Sequence, residues 1–193
     1  LPGETVRSRM VNVKQGYVWD VSQTDGEDVP QRPKMLLPEG AVPDGLWEGI
    51  VNQATKAGFV YREPQHELEL GGALGLTNYT DHDWMISPSL TAPASRAAVG
   101  AHELGHMHLH DPDAEGREPH RGIREVEAES FAAMLCAAYD LDTLDSTVPY
   151  VAGWAGRVEH MTPGEVIRKT GERVRQAVLS VIAELPEPAG GDG

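Results

Sequence analysis

Apolar positions along this chain follow two periods. At Leu46, Trp47, Ile50, Val51 and Ala54 they recur every three or four residues, which predicts an amphipathic helix over 44–57. Asp44 is the expected N-cap and Gly58 the stop. Around this helix the pattern is β-like. Strands are expected over 10–13 and 17–21 about Gly16, over 59–61, and over 76–80 and 84–87, the last two joined by a tight turn at 81–83. Leu68 and Leu70, followed by Gly71, Gly72 and Gly75, predict a bend or a close backbone approach. Pro88 and Pro93 mark a break before a helix over 94–110.

The helical period then takes over. Asp111, Pro112 and Asp113 end that helix, and a polar loop leads to Gly122. A long helix is expected over 124–140, carrying Val126, Phe131, Leu135 and Ala138, and a shorter one over 146–157 with Pro149 in its first turn. The last helix, 163–185, opens with Thr162 and Glu165 as a capping box. These elements are read together as an α+β fold with a small antiparallel or mixed sheet packed on the helices. Four segments follow from the punctuation. Residues 1–25 form strands, and 26–45, with Pro30, Pro33, Pro38 and Pro43, form an extended connector. Residues 46–185 make the main domain, and 186–193 a disordered tail.

Composition changes this picture modestly. With 193 residues and 40% hydrophobic content the chain can build a core. No apolar run approaches the ~20 residues of a membrane span. The start has neither Met nor a secretory leader pattern, as expected of a fragment or processed product, and cytosol is the default compartment. The single Cys136 sits in an apolar helical run and is expected to be a buried, inert thiol. Thirty acidic residues against 16 basic give a net charge of -14, which argues against direct nucleic-acid binding by a basic face. No oligomeric state follows from the pattern.

Candidate chemistry concentrates in HELGH at 102–106. Positions i and i+4 share a helix face, so His102 and His106 can aim two imidazole nitrogens at one point, with Glu103 beside it. Two nitrogen ligands and an adjacent carboxylate are what a zinc hydrolase needs. A third protein ligand is expected from the next helix. Glu125 and Glu129 lie on one face, otherwise lined by Ala128, Ala132 and Ala133, and two carboxylates there call for a positive partner. Glu125 is assigned as ligand and Glu129 as the acceptor fixing a His tautomer, the reverse assignment remaining open. Glu127 is expected to point into solvent.

In this scheme a divalent ion activates water, and Glu103 takes its proton and passes it to the leaving amine. Tyr150 is the candidate donor to the oxyanion, an ordinary core tyrosine being the alternative. His110, i+4 from His106, is read as supporting the ligands or the helix end. The strand bearing Trp84, Met85 and Ile86 is expected to be the edge on which a peptide lies extended.

AHELGH at 101–106, EVEAESFA at 125–132 and VPYVAGWA at 148–155 together resemble the zincin-like metallopeptidases of the ImmA/IrrE group, and more closely the metallopeptidase domain of ArdC-type antirestriction proteins. YVWDVSQT at 17–24 is similar as well. The resemblance implies a zincin-like domain whose zinc is bound by His102, His106 and Glu125, with Glu103 as general base. It also implies a cytoplasmic, gluzincin-like peptidase acting on a protein substrate and linked to mobile DNA, antirestriction or stress response. Two departures stand out. ArdC-type proteins carry an N-terminal single-stranded-DNA-binding domain, of which 1–25 would be only a trailing remnant. ImmA-like proteins have Asn or Asp where Glu129 stands. The rival readings are a non-enzymatic acidic antirestriction or interaction protein with a structural metal site, and a hydrolase of small amides.

Overall fold

The computed structural model describes residues 36–114, 118 and 120–186, all within one structural unit, 34–193. The strands expected over 10–13 and 17–21, the rest of 1–25, and the tail from 187 lie outside the described residues. Among the described residues there are five α-helices, a short 3₁₀ turn (Glu67–Leu70) and a three-stranded mixed sheet, an α+β architecture consistent with a zincin-like fold. No helix among the described residues is long and apolar enough to cross a membrane.

The first helix, α1, spans Leu46–Lys56. Its N-cap is Gly45 rather than the expected Asp44. The chain enters the helix through a left-handed residue, φ 80°, which glycine adopts without steric penalty, so no side chain caps this end. Gly58, φ 90°, turns the chain out of α1 into β1 (Val60–Tyr61). The other strands are β2 (Gly75–Asn78) and β3 (Asp83–Ile86).

The sheet order is β1-β3-β2, with β1 parallel and β2 antiparallel to β3. This corrects the expectation that Trp84, Met85 and Ile86 form an edge. Trp84 pairs with Tyr61 on one side and Thr77 on the other, and all three β3 residues are buried. The run is apolar at consecutive positions rather than alternating, the mark of a strand covered on both faces. Among the described residues the outer edges of the sheet belong to β1 and β2.

The helix carrying HELGH, α2, spans Pro93–Leu109. Pro93 opens it instead of standing before it, since the first helical position needs no N–H. The next helix, α3, spans Arg121–Ala137, three residues earlier than expected. His120 caps it by accepting from the Gly122 amide. Helix α4 spans Leu144–Ala155, with the Asp142 carboxylate accepting from the Leu144 amide. Because α4 begins two residues early, Pro149 lies in its second turn and leaves one helical hydrogen bond unmade. Helix α5, Pro163–Ile182, carries the expected Thr162–Glu165 capping box.

The main core gathers Leu46 and Ile50 from α1, Trp84 and Ile86 from β3, Leu104 and Met107 from α2, Phe131 and Leu135 from α3, and Val174 and Val178 from α5. Cys136 is buried there, and burial pushes its thiol up to about 12. A smaller cluster joins Ile123 and Val126 of α3 to Val151, Ala155 and Val166 of α4 and α5. Glycine sets the spacing of the two site helices. A Cβ on Gly105 would lie 3.1 Å from the Ala128 backbone, so the HELGH glycine lets α2 and α3 approach closely.

Candidate metal centre

On α2 and α3, one helical turn separates His102 from His106 and Glu125 from Glu129, and the Gly105–Ala128 contact brings the two rows together. His102 Nε2 and His106 Nε2 are 3.1 Å apart, and Glu125 Oε2 stands 3.6 Å from the first and 4.0 Å from the second. Among the described residues this trio forms the group able to hold a metal ion. A tetrahedral ion with bonds of about 2.0–2.1 Å would keep its ligand atoms about 3.3 Å apart, so the triangle has a suitable size.

The donor chemistry also fits. Glu129 Oε2 is 2.9 Å from His102 Nδ1 and, as a carboxylate, accepts its proton, so in the neutral ring the Nε2 lone pair aims at the other two donors. Three electron-rich atoms pointing at one spot repel one another unless a positive charge, a bound cation or a proton on His102, lies between them. Glu129 is thereby placed behind His102, and its other oxygen accepts from the Thr147 hydroxyl of α4 at 2.9 Å.

Neighbouring charges shape the protonation of these side chains. Burial alone would lower His102, but the Glu125 carboxylate 3.6 Å away, the hydrogen bond to Glu129 and the Glu103 charge overcome it and raise the imidazole to about 10. Burial would raise Glu125, yet the adjacent imidazoles, His102 at 3.6 Å first, hold the carboxyl down at about 2. His106 is driven well below its usual range, first by burial and then by the charges of His102 and His110. The centre thus already favours a cation flanked by carboxylate.

Glu103 is buried beside the trio, and desolvation raises its carboxyl above the ordinary range. Strand β2 holds it. The Thr77 hydroxyl donates to Glu103 Oε2 at 2.7 Å, and a Cβ on Gly75 would lie 2.7 Å from Glu103 Oε1. Gly75 is therefore a site cut to the shape of the glutamate. The Tyr79 hydroxyl donates to the His106 carbonyl at 2.7 Å and ties the same strand to the last turns of α2.

Tyr150 reaches the centre from α4 and meets His102 edge to face, with ring centroids 5.9 Å apart. Its hydroxyl donates to Glu125 Oε2 at 3.0 Å, so in this geometry its proton is committed to the ligand carboxylate rather than to a substrate oxygen. His110 Nδ1 faces His106 Nδ1 at 2.9 Å, and His110 Nε2 faces Glu127 Oε2 at 2.9 Å. The expectation of a solvated Glu127 is overturned, for the residue is 2% exposed and paired with Arg173 of α5. Viewed from α2 alone it lies off the ligand face, but α5 covers that flank of α3.

Sequence reasoning did not single out Thr77, Gly75, Tyr79, Thr147, Glu127 or Arg173 for the site. Thr147 stands three residues before Tyr150, one turn along α4, and that spacing was the available signal. The others depend on how β2 and α5 dock, which no local pattern carries.

Residues 78–141 match the family model Peptidase M78, the IrrE N-terminal-like domain. The match runs from the end of β2 through α2 and α3, about a third of the chain, and includes all three donors. It supports an ImmA/IrrE-type assignment for that region. An uncharacterised protein of Bacillus anthracis is 39% identical over 57 residues, which is 30% of this chain and 10% of the relative. The matched region thus spans about a tenth of that protein. No solved structure matches the chain.

Proposed function

We propose that the chain is a zinc-dependent peptidase that hydrolyses peptide bonds in a protein substrate. The observation carrying this reading is the convergence of His102 Nε2, His106 Nε2 and Glu125 Oε2, with the buried Glu103 carboxylate alongside. A zinc ion held by the trio would polarise a carbonyl and make water acidic enough to ionise near neutral pH. Glu103 accepts the proton released by water and returns it to the departing amine. Its raised pKa suits a group that must both take and give a proton. Thr77 holds one Glu103 oxygen in place, and Tyr150 does the same for Glu125.

Among the described residues the outer edge of β2 is the strand edge next to the general base, because β3 is occupied on both sides. An extended peptide adding to that edge would run past the trio. The M78 match supports metallopeptidase chemistry. The resemblance to ArdC-type and ImmA/IrrE proteins directs the search for a substrate to cytosolic regulators or defence proteins encountered by mobile DNA.

The test compares zinc-loaded wild type with Glu103→Gln on a proteome-derived peptide library read by mass spectrometry. Wild type is expected to cleave, and Glu103→Gln to lose about 10²–10⁴ in rate while binding equal zinc. Equal cleavage by both chains, or none by wild type, would overturn the reading and favour a non-enzymatic metal protein.

A further inference from the structure

We infer that Glu127 and Arg173 set the ring tautomer of His106 through His110, and so act as positioning residues for the metal centre; this rests on the ligand set proposed above. The chain of contacts crosses three helices. His106 and its neighbour His110 belong to the α2 end, Glu127 to α3 and Arg173 to α5.

Two imidazole Nδ1 atoms 2.9 Å apart share one proton, so one ring donates and the other accepts. One end of the pair meets His102 Nε2, 3.1 Å from His106 Nε2, and the other meets a carboxylate at the far side of His110. Its Nε2 is 2.9 Å from Glu127 Oε2, and a carboxylate can only accept, so the hydrogen of neutral His110 resides on Nε2. His110 Nδ1 then offers a lone pair, and His106 must donate from Nδ1. That leaves the His106 Nε2 lone pair directed at His102 and Glu125. A hydrogen-bond donor in place of the Glu127 carboxylate would reverse both rings and aim an N–H at the centre, where it cannot ligate.

Arg173 keeps Glu127 an acceptor. Its guanidinium stands 3.2 Å and 3.3 Å from the two Glu127 oxygens and also donates to the Leu109 carbonyl at the end of α2. Both Glu127 and His110 are 2% exposed. An apolar pair would fill that space with less desolvation, but it would leave the His106 tautomer unspecified. His102 is served more simply, by direct contact with Glu129.

The experiment uses the whole 193-residue chain, ¹⁵N-labelled and metal-free, at mildly alkaline pH. Long-range proton–nitrogen correlation reports the tautomers, and chelator competition reports zinc affinity. Wild type should show His106 protonated on Nδ1 and His110 on Nε2. In Glu127→Gln the amide oxygen turns to Arg173 and the NH₂ to His110, so both rings should flip and zinc affinity should fall about 10–100-fold. Unchanged tautomers with affinity within about twofold would overturn the inference. If Glu127→Gln does not fold, His110→Gln decides. Its amide carries an acceptor for His106 and a donor for Glu127, so His106 should keep Nδ1–H, and Nε2–H would overturn the inference. Because the tautomers are read without metal, a wild type that takes up no zinc would sink the proposed function and leave this inference to the spectrum.

Discussion

The two sides of α2 make opposite interiors. On one side Gly100 faces Trp47, Ile50 and Trp84, in a cluster that also takes Ala97, Ala101 and Leu104. On the other, His102, His106 and His110 meet Glu125, Glu127 and Glu129 of α3. The first side is stabilised by removing apolar surface from water. The second buries charge, which adds little net stability and requires each group to have a partner. One helix thus joins a half that holds the fold to a half that holds the chemistry, and the two should fail differently when mutated.

The largest effect should come from the apolar side. Trp84→Ala opens a cavity under the sheet and should destabilise the chain by about 3–5 kcal/mol, measured by denaturant unfolding. Any loss of zinc should follow only from unfolding. On the polar side, Glu129→Ala removes the acceptor behind His102 and should weaken zinc binding about 10–100-fold, with a much smaller change in melting temperature. If Glu129→Ala unfolded the protein as severely as Trp84→Ala, the division between the halves would be wrong.

A smaller effect is expected at Thr77. Thr77→Val keeps the shape and deletes the hydrogen bond to Glu103, so peptide cleavage should slow about tenfold, equivalent to ~1.4 kcal/mol, with zinc content unchanged. The smallest is at Cys136, whose buried thiol is raised to about 12 and stays protonated at neutral pH. It should not react with a disulfide reagent in the folded chain and should react fully after unfolding. Rapid labelling of the native protein would show the core beside α3 to be open.

The trio was legible because it is local. His102 with His106 and Glu125 with Glu129 each follow the helical turn, and the third donor was sought on the next helix. What the pattern could not carry was pairing across distance. β1 pairs with β3 in parallel although β2 lies between them in sequence, so β3 became central, and its consecutive burial was visible as an apolar run. Glu127 read as solvated because a helical wheel for α3 shows one partner, whereas α2, α4 and α5 all pack on it. The Thr77 contact exists only because β2 docks on α2. Helix starts moved by two or three residues where His120 capped α3 and the Asp142 carboxylate accepted from the first amide of α4, earlier than the apolar period suggested.

The central claim is that a cation belongs between α2 and α3. Anomalous diffraction from crystals of the zinc-loaded chain, measured on both sides of the zinc absorption edge, tests it directly. The account predicts one strong peak about 2.0–2.2 Å from His102 Nε2, His106 Nε2 and a Glu125 oxygen, absent in Glu125→Ala. No peak there in wild type, or one only at surface histidines such as His108, would contradict it.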